Sequence, residues 1–262
     1  MPEVAVSAPG TPTWIDVSTK DVKGSLTFYE GLFGWQAPEL GPEAAGYRLF
    51  KKNGKDVAGI GPTQDPNQPT AWNVYIATDD ADATAEKVKQ AGGNVIAPPF
   101  DVLKTGRMAV FQDPTGAFIS VWQANEMKGS ELINEPGTLG WAELNTRGVD
   151  KAKPFYKQVF GWGDKTSEMA SGQPPYTEWQ LNGQSIAGAM EIGPSGINLP
   201  SQVPPHWLVY FGSSDVDATT KKVKDLGGKV NMEPQDFPGG RFSVVTDPAG
   251  AVFGIMKMSA SS

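Results

Sequence analysis

Two carboxylates and one histidine are the residues of this chain that are best placed for acid–base chemistry. Asp16 and Glu143 each lie third in a run of bulky, alternating residues that begins with a tryptophan, a pattern typical of a β-strand. A carboxylate on the inner face of such a strand must be solvated, paired or used in a reaction. His206, the only histidine, could exchange a proton near neutral pH. The structural alternatives are ion pairs of the carboxylates with Arg107 or Arg241, and a hydrogen-bonded histidine at a strand start.

The segments around both carboxylates belong to an internal duplication. The run that begins at Trp14 and contains Phe-Tyr and Phe-Gly-Trp returns from Trp141, an offset of 127 residues. A second tract, which begins at Trp72 and ends in an Asp-Pro-x-Gly turn, returns from Trp207 at an offset of 135. A period this long indicates duplication of a whole domain and not a solenoid. The sequence therefore predicts a first domain over residues 1–125, a linker over 126–137 and a second domain over 138–262.

The composition argues against several classes of function. A net charge of −7 and a pI of about 4.8 argue against a nucleic-acid surface, which needs clustered Lys and Arg. Cysteine is absent, which excludes disulfides, thiolate metal sites and a cysteine nucleophile. No apolar run reaches the length of a membrane span, and the N-terminus lacks the features of a signal peptide. We expect a cytoplasmic protein, monomeric or homodimeric, with neither nucleic acid nor membrane as a partner.

The elements that would position the carboxylates alternate between strands and helices. Bulky alternation predicts a strand over residues 13–18, and helical spacing that ends at Gly34 predicts the helix after it. Asn53-Gly54 predicts a tight hairpin. A further strand and helix follow, and two strands across the turn at Asp113 complete the half. Strands outnumber helices and the hairpins are antiparallel, so the pattern indicates an α+β class with mixed sheets.

Several linked motifs resemble those of the vicinal oxygen chelate superfamily, which includes glyoxalase I, bleomycin-resistance proteins and extradiol dioxygenases. They are the order of elements, the Phe-Tyr-x-x-x-Phe-Gly-Trp helix end and the Asp-Pro-x-Gly turn, and they cover residues 12–125 and 138–258. More narrowly, the tandem form is similar to actinobacterial glyoxalase-like proteins often described as hydroxylases of aromatic polyketide clusters. The resemblance implies four βαβββ units that form two glyoxalase-like domains. Their cup-shaped mixed sheets would surround a cavity, which in the family usually carries one divalent metal.

The positions that hold the metal in the family lack suitable ligands here. A Zn²⁺, Ni²⁺ or Fe²⁺ site needs imidazole or carboxylate groups, and His206 lies two residues off the ligand register. We therefore expect no metal and no other cofactor. The family's ligand positions fall on Trp14, Asn73 and Ser120 in the first half and on Trp141, Leu208 and Gly254 in the second.

Strand alternation gives each half one face for the helices and one face for the cavity. The cavity face is aromatic with isolated polar groups, which suits a flat, apolar, partly oxygenated ligand. The alternative for Trp14 and Trp141 is that they fill the space of the missing metal. The predicted ligand contacts are Trp14, Asn73, Tyr75, Arg107, Ser120, Trp122, Trp141, Asn145, Leu208, Tyr210 and Arg241, and the predicted catalytic residues are Asp16, Glu143 and His206.

Three functions remain open at this point. The first is binding of a small, hydrophobic, planar aromatic metabolite, either for resistance and sequestration or for metal-independent modification in aromatic polyketide metabolism. The second is a glyoxalase-type lyase that detoxifies methylglyoxal, which is disfavoured because that chemistry uses a metal to stabilise an enediolate. The third is a non-catalytic scaffold or interaction protein, which two cups filled by their own tryptophans would favour.

Overall fold

The structure, a computed structural model, describes residues 7–167 and 174–259. The N-terminal residues on which the expectation of no signal peptide rests lie mostly outside these ranges. Within them, none of the helices combines the length and the apolar character that crossing a bilayer requires.

The first half follows the predicted order of elements. Helix α1 begins after Asp21, whose side chain accepts a hydrogen bond from the Gly24 amide, and ends at Gly34 with a left-handed φ of 72°. Asn53 and Gly54 have φ of 54° and 77°, as the predicted hairpin turn requires. The elements are β1 (Pro12–Thr19), α1 (Val22–Phe33), β2 (Arg48–Lys52), β3 (Lys55–Pro62), β4 (Ala71–Ala77), α2 (Ala81–Gln90), β5 (Asn94–Val102), β6 (Gly106–Gln112) and β7 (Phe118–Ala124), with a short 3-10 turn at Pro42–Ala44.

The second half repeats this order with one additional strand, β9. In the first half the matching segment makes only isolated bridges at Gln36 and Glu39. Pro38 lies between them and has no N–H to donate to a ladder. The elements are β8 (Leu139–Thr146), α3 (Val149–Phe160), β9 (Gly163–Ser167), β10 (Tyr176–Leu181), β11 (Gln184–Glu191), β12 (His206–Gly212), α4 (Val216–Asp225), β13 (Lys229–Phe237), β14 (Gly240–Thr246) and β15 (Val252–Met258).

Each half forms one mixed sheet of its own. The strand order is β2-β3-β1-β4-β7-β6-β5 in the first sheet and β13-β14-β15-β12-β8-β11-β10-β9 in the second. The two units of a half meet where β1 pairs antiparallel with β4, and where β8 pairs antiparallel with β12. The units that share a sheet therefore come from the same half. These are two glyoxalase-like α+β domains, as the resemblance implies.

The two faces of each sheet have different partners. Ile15 and Val17 of β1 belong to a large core that includes the helices and residues of both halves, whereas Trp14 lies on the opposite face. Trp72 and Trp207, each 5% exposed, belong to the shared core, which confirms their predicted packing. We call the face opposite the helices the cup face; the alternation of strand residues predicts it correctly.

Two reciprocal hydrogen bonds join the halves. The hydroxyl of Tyr29 in α1 donates to Asp247 Oδ2 at 2.9 Å, and the hydroxyl of Tyr156 in α3 donates to Asp113 Oδ2 at 2.8 Å. Each aspartate opens the Asp-Pro-x-Gly turn of the half that does not supply its tyrosine. We call this pair of contacts the tyrosine–aspartate clasp.

Four buried indole N–H groups complete the joint between the halves. Two of them donate to the hydroxyls of the clasp, and two donate to backbone carbonyls across the joint, so each finds an acceptor in the shared core. The bonds are Trp72 Nε1 to Tyr29 Oη (2.9 Å), Trp207 Nε1 to Tyr156 Oη (3.0 Å), Trp35 Nε1 to Gly137 O (2.9 Å) and Trp162 Nε1 to Gly10 O (2.7 Å).

The middle of the predicted linker, residues 126–137, is held against the first half by backbone hydrogen bonds. The Ser130 amide donates to Thr13 O at 2.8 Å, and the Glu131 amide donates to Asp56 O at 2.7 Å. Its last residues bond to the second half, where the Asn134 amide donates to Leu139 O at 2.8 Å and the Gly137 amide donates to Gly212 O at 2.7 Å, so the segment contacts both halves.

Candidate functional site

A buried carboxylate with three hydrogen-bond donors lies at the centre of the first cup face. Asp16 on β1 is 7% exposed. Its Oδ2 accepts from the hydroxyls of Tyr47 (3.1 Å) and Tyr75 (2.9 Å), and its Oδ1 accepts from Nδ2 of Asn73 (2.8 Å). Asn73 and Tyr75 come from β4, where Asn73 pairs directly with Asp16. The structure thus brings three of the predicted site residues together around one carboxylate.

Tyr47 reaches this carboxylate because the neighbouring strand carries a glycine. Gly59 of β3 pairs with Asp16, and a Cβ at Gly59 would lie 1.8 Å from the Tyr47 hydroxyl oxygen. That hydroxyl accepts from Trp14 Nε1 at 3.0 Å while it donates to Asp16. The hydrogen bonds therefore run in one direction, from indole to phenol to carboxylate.

Burial determines the protonation of this network. Desolvation raises the pKa of Asp16, and the hydrogen bonds from Asn73, Tyr75 and Tyr47 oppose that rise. Burial and the adjacent carboxylate raise the pKa of both tyrosines well above its ordinary value. Both phenols therefore keep their protons at neutral pH and act as hydrogen-bond donors. This arrangement fixes the carboxyl group in place.

The second cup face carries a related network around Glu143. This residue is 8% exposed, and its Oε1 accepts from the Tyr210 hydroxyl at 3.1 Å. Desolvation raises the pKa of this carboxyl group, and the polar side chains of Tyr176, Tyr210 and Asn145 oppose that rise. Trp141 Nε1 donates to the Tyr176 hydroxyl at 2.8 Å, as Trp14 does to its own tyrosine in the first half. The carboxylate, its two tyrosines and the indole donor are thus duplicated.

The structure contradicts the expected role of the two arginines. Arg107 and Arg241 pair with other carboxylates, so the structural alternative of ion pairs with Asp16 or Glu143 is wrong. Arg107 alternates along β6 with Met108, which packs on the cup face, so its side chain points to the helix side. Neither arginine is therefore placed to contact a ligand on a cup face. Their partners are Asp82 and Asp101 for Arg107, and Asp217 and Asp236 for Arg241, at 2.7–2.9 Å.

The centre of the first cup face is filled by its own side chains. Trp14 (2% exposed) and Trp122 (5%) pack with Tyr75, and Ser120, which pairs with Tyr75, is 4% exposed. This burial favours the alternative that Trp14 fills the space of a missing metal. Trp141 is only half-buried. The two cup faces therefore differ in how much of the central tryptophan a ligand could touch.

Exposed aromatic residues lie at the edge of the first cup face. Phe118, which precedes Ser120 and Trp122 on the same face of β7, is 52% exposed. Phe100 is 45% exposed and pairs with Met108, which in turn pairs with Trp122. These rings extend the apolar surface outward from the buried centre.

Comparison with known proteins agrees with this geometry. A model of the Glyoxalase/Bleomycin resistance protein/Dioxygenase superfamily matches residues 11–121 and 138–255. The chain belongs to this superfamily. The resemblance inferred from the motifs is therefore confirmed.

Several relatives and solved structures resemble this superfamily member over nearly its whole length. Anthracycline biosynthesis protein DnrV of Streptomyces peucetius is 41% identical over 266 residues, 96% of this chain and 94% of the relative. CFP32 of Mycobacterium tuberculosis, named as a candidate glyoxylase, is 41% identical over 263 residues, 98% of each chain. The Mn(II)-bound glyoxalase of Novosphingobium aromaticivorans shares the fold, with a TM-score of 0.66 and 18% identity over 95% of this chain and 82% of that one. The 2,3-dioxygenase LapB of Pseudomonas sp. KL28 has a TM-score of 0.65 and 14% identity over 98% of this chain and 94% of that one.

The ligand positions of the superfamily do not fit a divalent metal in this chain. In the first half these positions carry Trp14, Asn73 and Ser120, whose indole, amide and hydroxyl groups do not replace imidazoles and a carboxylate as metal ligands, and the amide of Asn73 donates to Asp16. In the second half Leu208 and Gly254 offer no side-chain donor atom. Across residues 7–167 and 174–259, no three His, Asp or Glu side chains come together as a metal site would require.

Two surface clefts lie away from the central tryptophans. One, of about 360 Å³, is lined by Phe28 of α1 and by Leu226 and other residues of the second half. The other, of about 170 Å³, lies at the end of β7, with Trp122 in its wall. Neither cleft is lined by Trp14 or Trp141.

Two tyrosines that complete the carboxylate networks are not among the site residues predicted from the sequence. Tyr47 and Tyr176 each lie at or just before the first strand of a hairpin, 129 residues apart, and each faces a glycine of the partner strand. The repeated Tyr and Gly at matching offsets carry the signal that could have identified them. The predicted residue His206 begins β12 and pairs with Asn145.

Proposed function

We propose that this protein binds a small, planar aromatic metabolite on a cup face, without a divalent metal at the superfamily's position. A relative that is 41% identical over 96% of the chain is named as an anthracycline biosynthesis protein, and anthracyclines are aromatic polyketides. This similarity supports a ligand of that chemical class. A protein that binds such a ligand at this site either sequesters it or modifies it without a metal.

One observation carries the proposal: each cup face surrounds a buried carboxylate–tyrosine network with aromatic side chains. Aromatic faces stack on flat rings, and isolated polar groups fix the orientation of a bound molecule. The half-buried Trp141 and the exposed Phe118 are the aromatic groups that a ligand could touch on the second and first faces. Asp16 and Glu143, each beside two phenols, form buried polar networks beneath them.

Binding is tested by titrating the protein with anthraquinone and riboflavin while tryptophan fluorescence is recorded. We expect quenching at ligand concentrations well below 1 mM, and no quenching with a saturated steroid of similar size. Trp141→Ala and Phe118→Ser each remove one aromatic contact, one on each face. The variant on the binding face should lose about 1–3 kcal/mol of binding free energy, because stacking and apolar burial are lost together.

The comparison of the two variants has a clear negative outcome. Urea unfolding first establishes that both variants are folded. If the wild type binds no planar ligand below about millimolar concentration, the proposal fails and a scaffold role is favoured. If planar ligands bind and neither variant is weakened, binding takes place elsewhere and the cup faces have no part in it.

A glyoxalase-type lyase is the second candidate, because CFP32 is named as a candidate glyoxylase. That reaction stabilises an enediolate, and without a Lewis acid the phenols of the networks would be the available hydrogen-bond donors. The test is turnover of the hemithioacetal of methylglyoxal with glutathione or mycothiol, with and without added Zn²⁺, Ni²⁺ or Mn²⁺. Turnover above about 1 per second would favour the lyase over simple binding.

A further inference from the structure

The two cup faces carry the same carboxylate network but differ in the polar groups beside it. The strands that bear the network, β1 with β4 and β8 with β12, pair in the same register, so their residues can be compared position by position. Apart from the carboxylate itself, which is Asp in one half and Glu in the other, three paired positions on the cup face change between the halves. Ser18 becomes Asn145, Asn73 becomes Leu208 and Ala71 becomes His206.

On the first face these polar groups satisfy one another. Nδ2 of Asn73 donates to Asp16 Oδ1 at 2.8 Å and to Ser18 Oγ at 3.1 Å. The carboxylate of Asp16 receives three donors in all, from three different residues. The network is closed, and it presents no acceptor that needs a donor from a ligand.

On the second face one acceptor is left over. Asn145 is 1% exposed, and its side chain favours the ionised form of Glu143 by lowering the pKa that burial raises, as an amide N–H directed at the carboxylate does. Its carbonyl oxygen, Oδ1, is buried and has no donor among the residues that the structure describes. Leu208, where the first half has an amide, cannot supply one. A buried acceptor without a donor destabilises the fold, so its retention needs an explanation.

A second acceptor lies on the strand beside it. His206 pairs with Asn145 and is half-buried. Its Nδ1 is 2.8 Å from the Pro204 carbonyl oxygen, which can only accept, so Nδ1 carries the proton. Desolvation lowers the pKa of His206, which favours the neutral ring and leaves a lone pair on Nε2. Arg147 fixes the loop that precedes His206 in the chain, because its guanidinium group donates to the carbonyl oxygens of Pro200 and Val203.

We propose that the second cup face is the one that binds the ligand, and that Asn145 Oδ1 and His206 Nε2 together accept a hydrogen bond from a hydroxyl group on it. This inference rests on the proposed function. It adds which half of the chain binds the ligand and which chemical group of the ligand is recognised. The first face has a structural role, because its network is closed and its tryptophan is buried. A phenolic hydroxyl on a planar ring system supplies both the donor and the stacking surface.

A matched pair of ligands tests the acceptor pair: 2-hydroxyanthraquinone and 2-methoxyanthraquinone. They share the ring system, but only the first can donate a hydrogen bond. We expect the wild type to bind the hydroxyl compound about 3- to 10-fold more tightly, which is the range of one net hydrogen bond.

Three variants separate the two faces. Asn145→Ser and His206→Ala install the residues that the first half already carries at the same strand positions, which makes misfolding a small risk, and urea unfolding checks it. In both variants we expect the preference for the hydroxyl compound to fall to within about 2-fold, with binding of the methoxy compound unchanged. Ser18→Ala, the matched change on the first face, should keep the full preference.

The outcomes distinguish this inference from the proposed function. If the wild type binds neither compound, both fail. If it binds both compounds and Asn145→Ser and His206→Ala keep the wild-type preference, only the acceptor pair is refuted. Loss of the preference in Ser18→Ala alone would place the ligand on the first face and overturn the inference.

A second measurement follows the histidine directly. Because His206 is the only histidine, its ring gives a single pair of ¹⁵N resonances in a long-range ¹H–¹⁵N spectrum. We expect the unprotonated Nε2 to shift on addition of the hydroxyl compound and not of the methoxy compound. Equal shifts with both compounds would show that the ring responds to stacking alone, and would refute the hydrogen bond.

Discussion

Replacing Tyr29 with phenylalanine tests whether the tyrosine–aspartate clasp holds the two halves together. The change removes one oxygen atom and leaves the ring, which packs among Phe28, Trp35 and Phe50. That oxygen donates to Asp247 Oδ2 and accepts from the indole N–H of Trp72, both at 2.9 Å, and all three residues are buried. The variant therefore leaves one buried acceptor and one buried donor without their partner.

The expected loss follows from these two groups. An unsatisfied buried polar group destabilises a fold by about 1–3 kcal/mol, and a charged group by more. Asp247 keeps its backbone donor, since the Ala251 amide remains 2.8 Å from Oδ1, so only one of its oxygens is affected. We expect Tyr29→Phe to lower the free energy of unfolding by about 2–4 kcal/mol. Tyr156→Phe, which breaks the reciprocal contact with Asp113, should lower it by a similar amount.

The measurement is urea unfolding at pH 7, followed by tryptophan fluorescence and circular dichroism. Thr27→Ala is the control, because this hydroxyl is on the same helix, is exposed and bonds only to the Lys23 carbonyl; its effect should stay within about 0.5 kcal/mol. If Tyr29→Phe and Tyr156→Phe are as mild as the control, the clasp contributes nothing to stability and the reasoning is refuted.

Three further predictions concern the core, the carboxylates and the metal. Trp179 Nε1 is buried and has no acceptor among the residues that the structure describes, whereas Trp162 Nε1 bonds to Gly10 O. Calorimetry should therefore find Trp179→Phe at least about 1 kcal/mol less destabilising than Trp162→Phe, and equal losses would contradict this. Folding raises the pKa of Glu143 above 4.5, so the stability that this group contributes is fully present below pH 4.5 and is lost as the pH rises through the pKa of the folded state. In urea titrations, the stability of Glu143→Gln relative to the wild type should therefore increase from pH 4.5 to pH 8. A difference that does not change with pH would exclude a raised pKa. Elemental analysis after chelator dialysis should find far less than one equivalent of zinc, nickel, iron or manganese, and one bound equivalent would overturn the reading of the ligand positions.

The fold was accessible from the sequence because its signals are local and repeated. The Gly34 helix end, the Asn53-Gly54 turn and strand alternation each depend on a few neighbouring residues, and each recurs in the second half. Alternation also placed Asp16 and Tyr75 correctly on the cup face, because the period of a strand fixes which side a residue takes. Among the described residues, the halves differ in the strand β9 and in the 3-10 turn at Pro42–Ala44, and Pro38 accounts for the absence of the strand from the first half.

The site was less accessible because its contacts join residues distant in the chain. Tyr47 lies 31 residues from Asp16 and reaches it only because Gly59 leaves room on a third strand. The position of Arg107 was predicted wrongly because its charge suggested a partner for Asp16. The alternation of side chains along β6 instead turns Arg107 toward Asp82 on the helix side. Charge complementarity alone does not choose a partner when several carboxylates are within reach.

The tyrosine–aspartate clasp has a consequence for how such a chain can arise. Each half contains both members of the contact, a helix tyrosine and a turn aspartate, yet each tyrosine bonds to the aspartate of the other half. A single half-length ancestor could therefore have made the same joint twice in a symmetric homodimer, Tyr29 of one copy meeting Asp113 of the next. Gene fusion would then have kept the joint and allowed the sequences of the two copies to diverge. Only after that step could His206 and Asn145 appear in one half while the other kept alanine and serine.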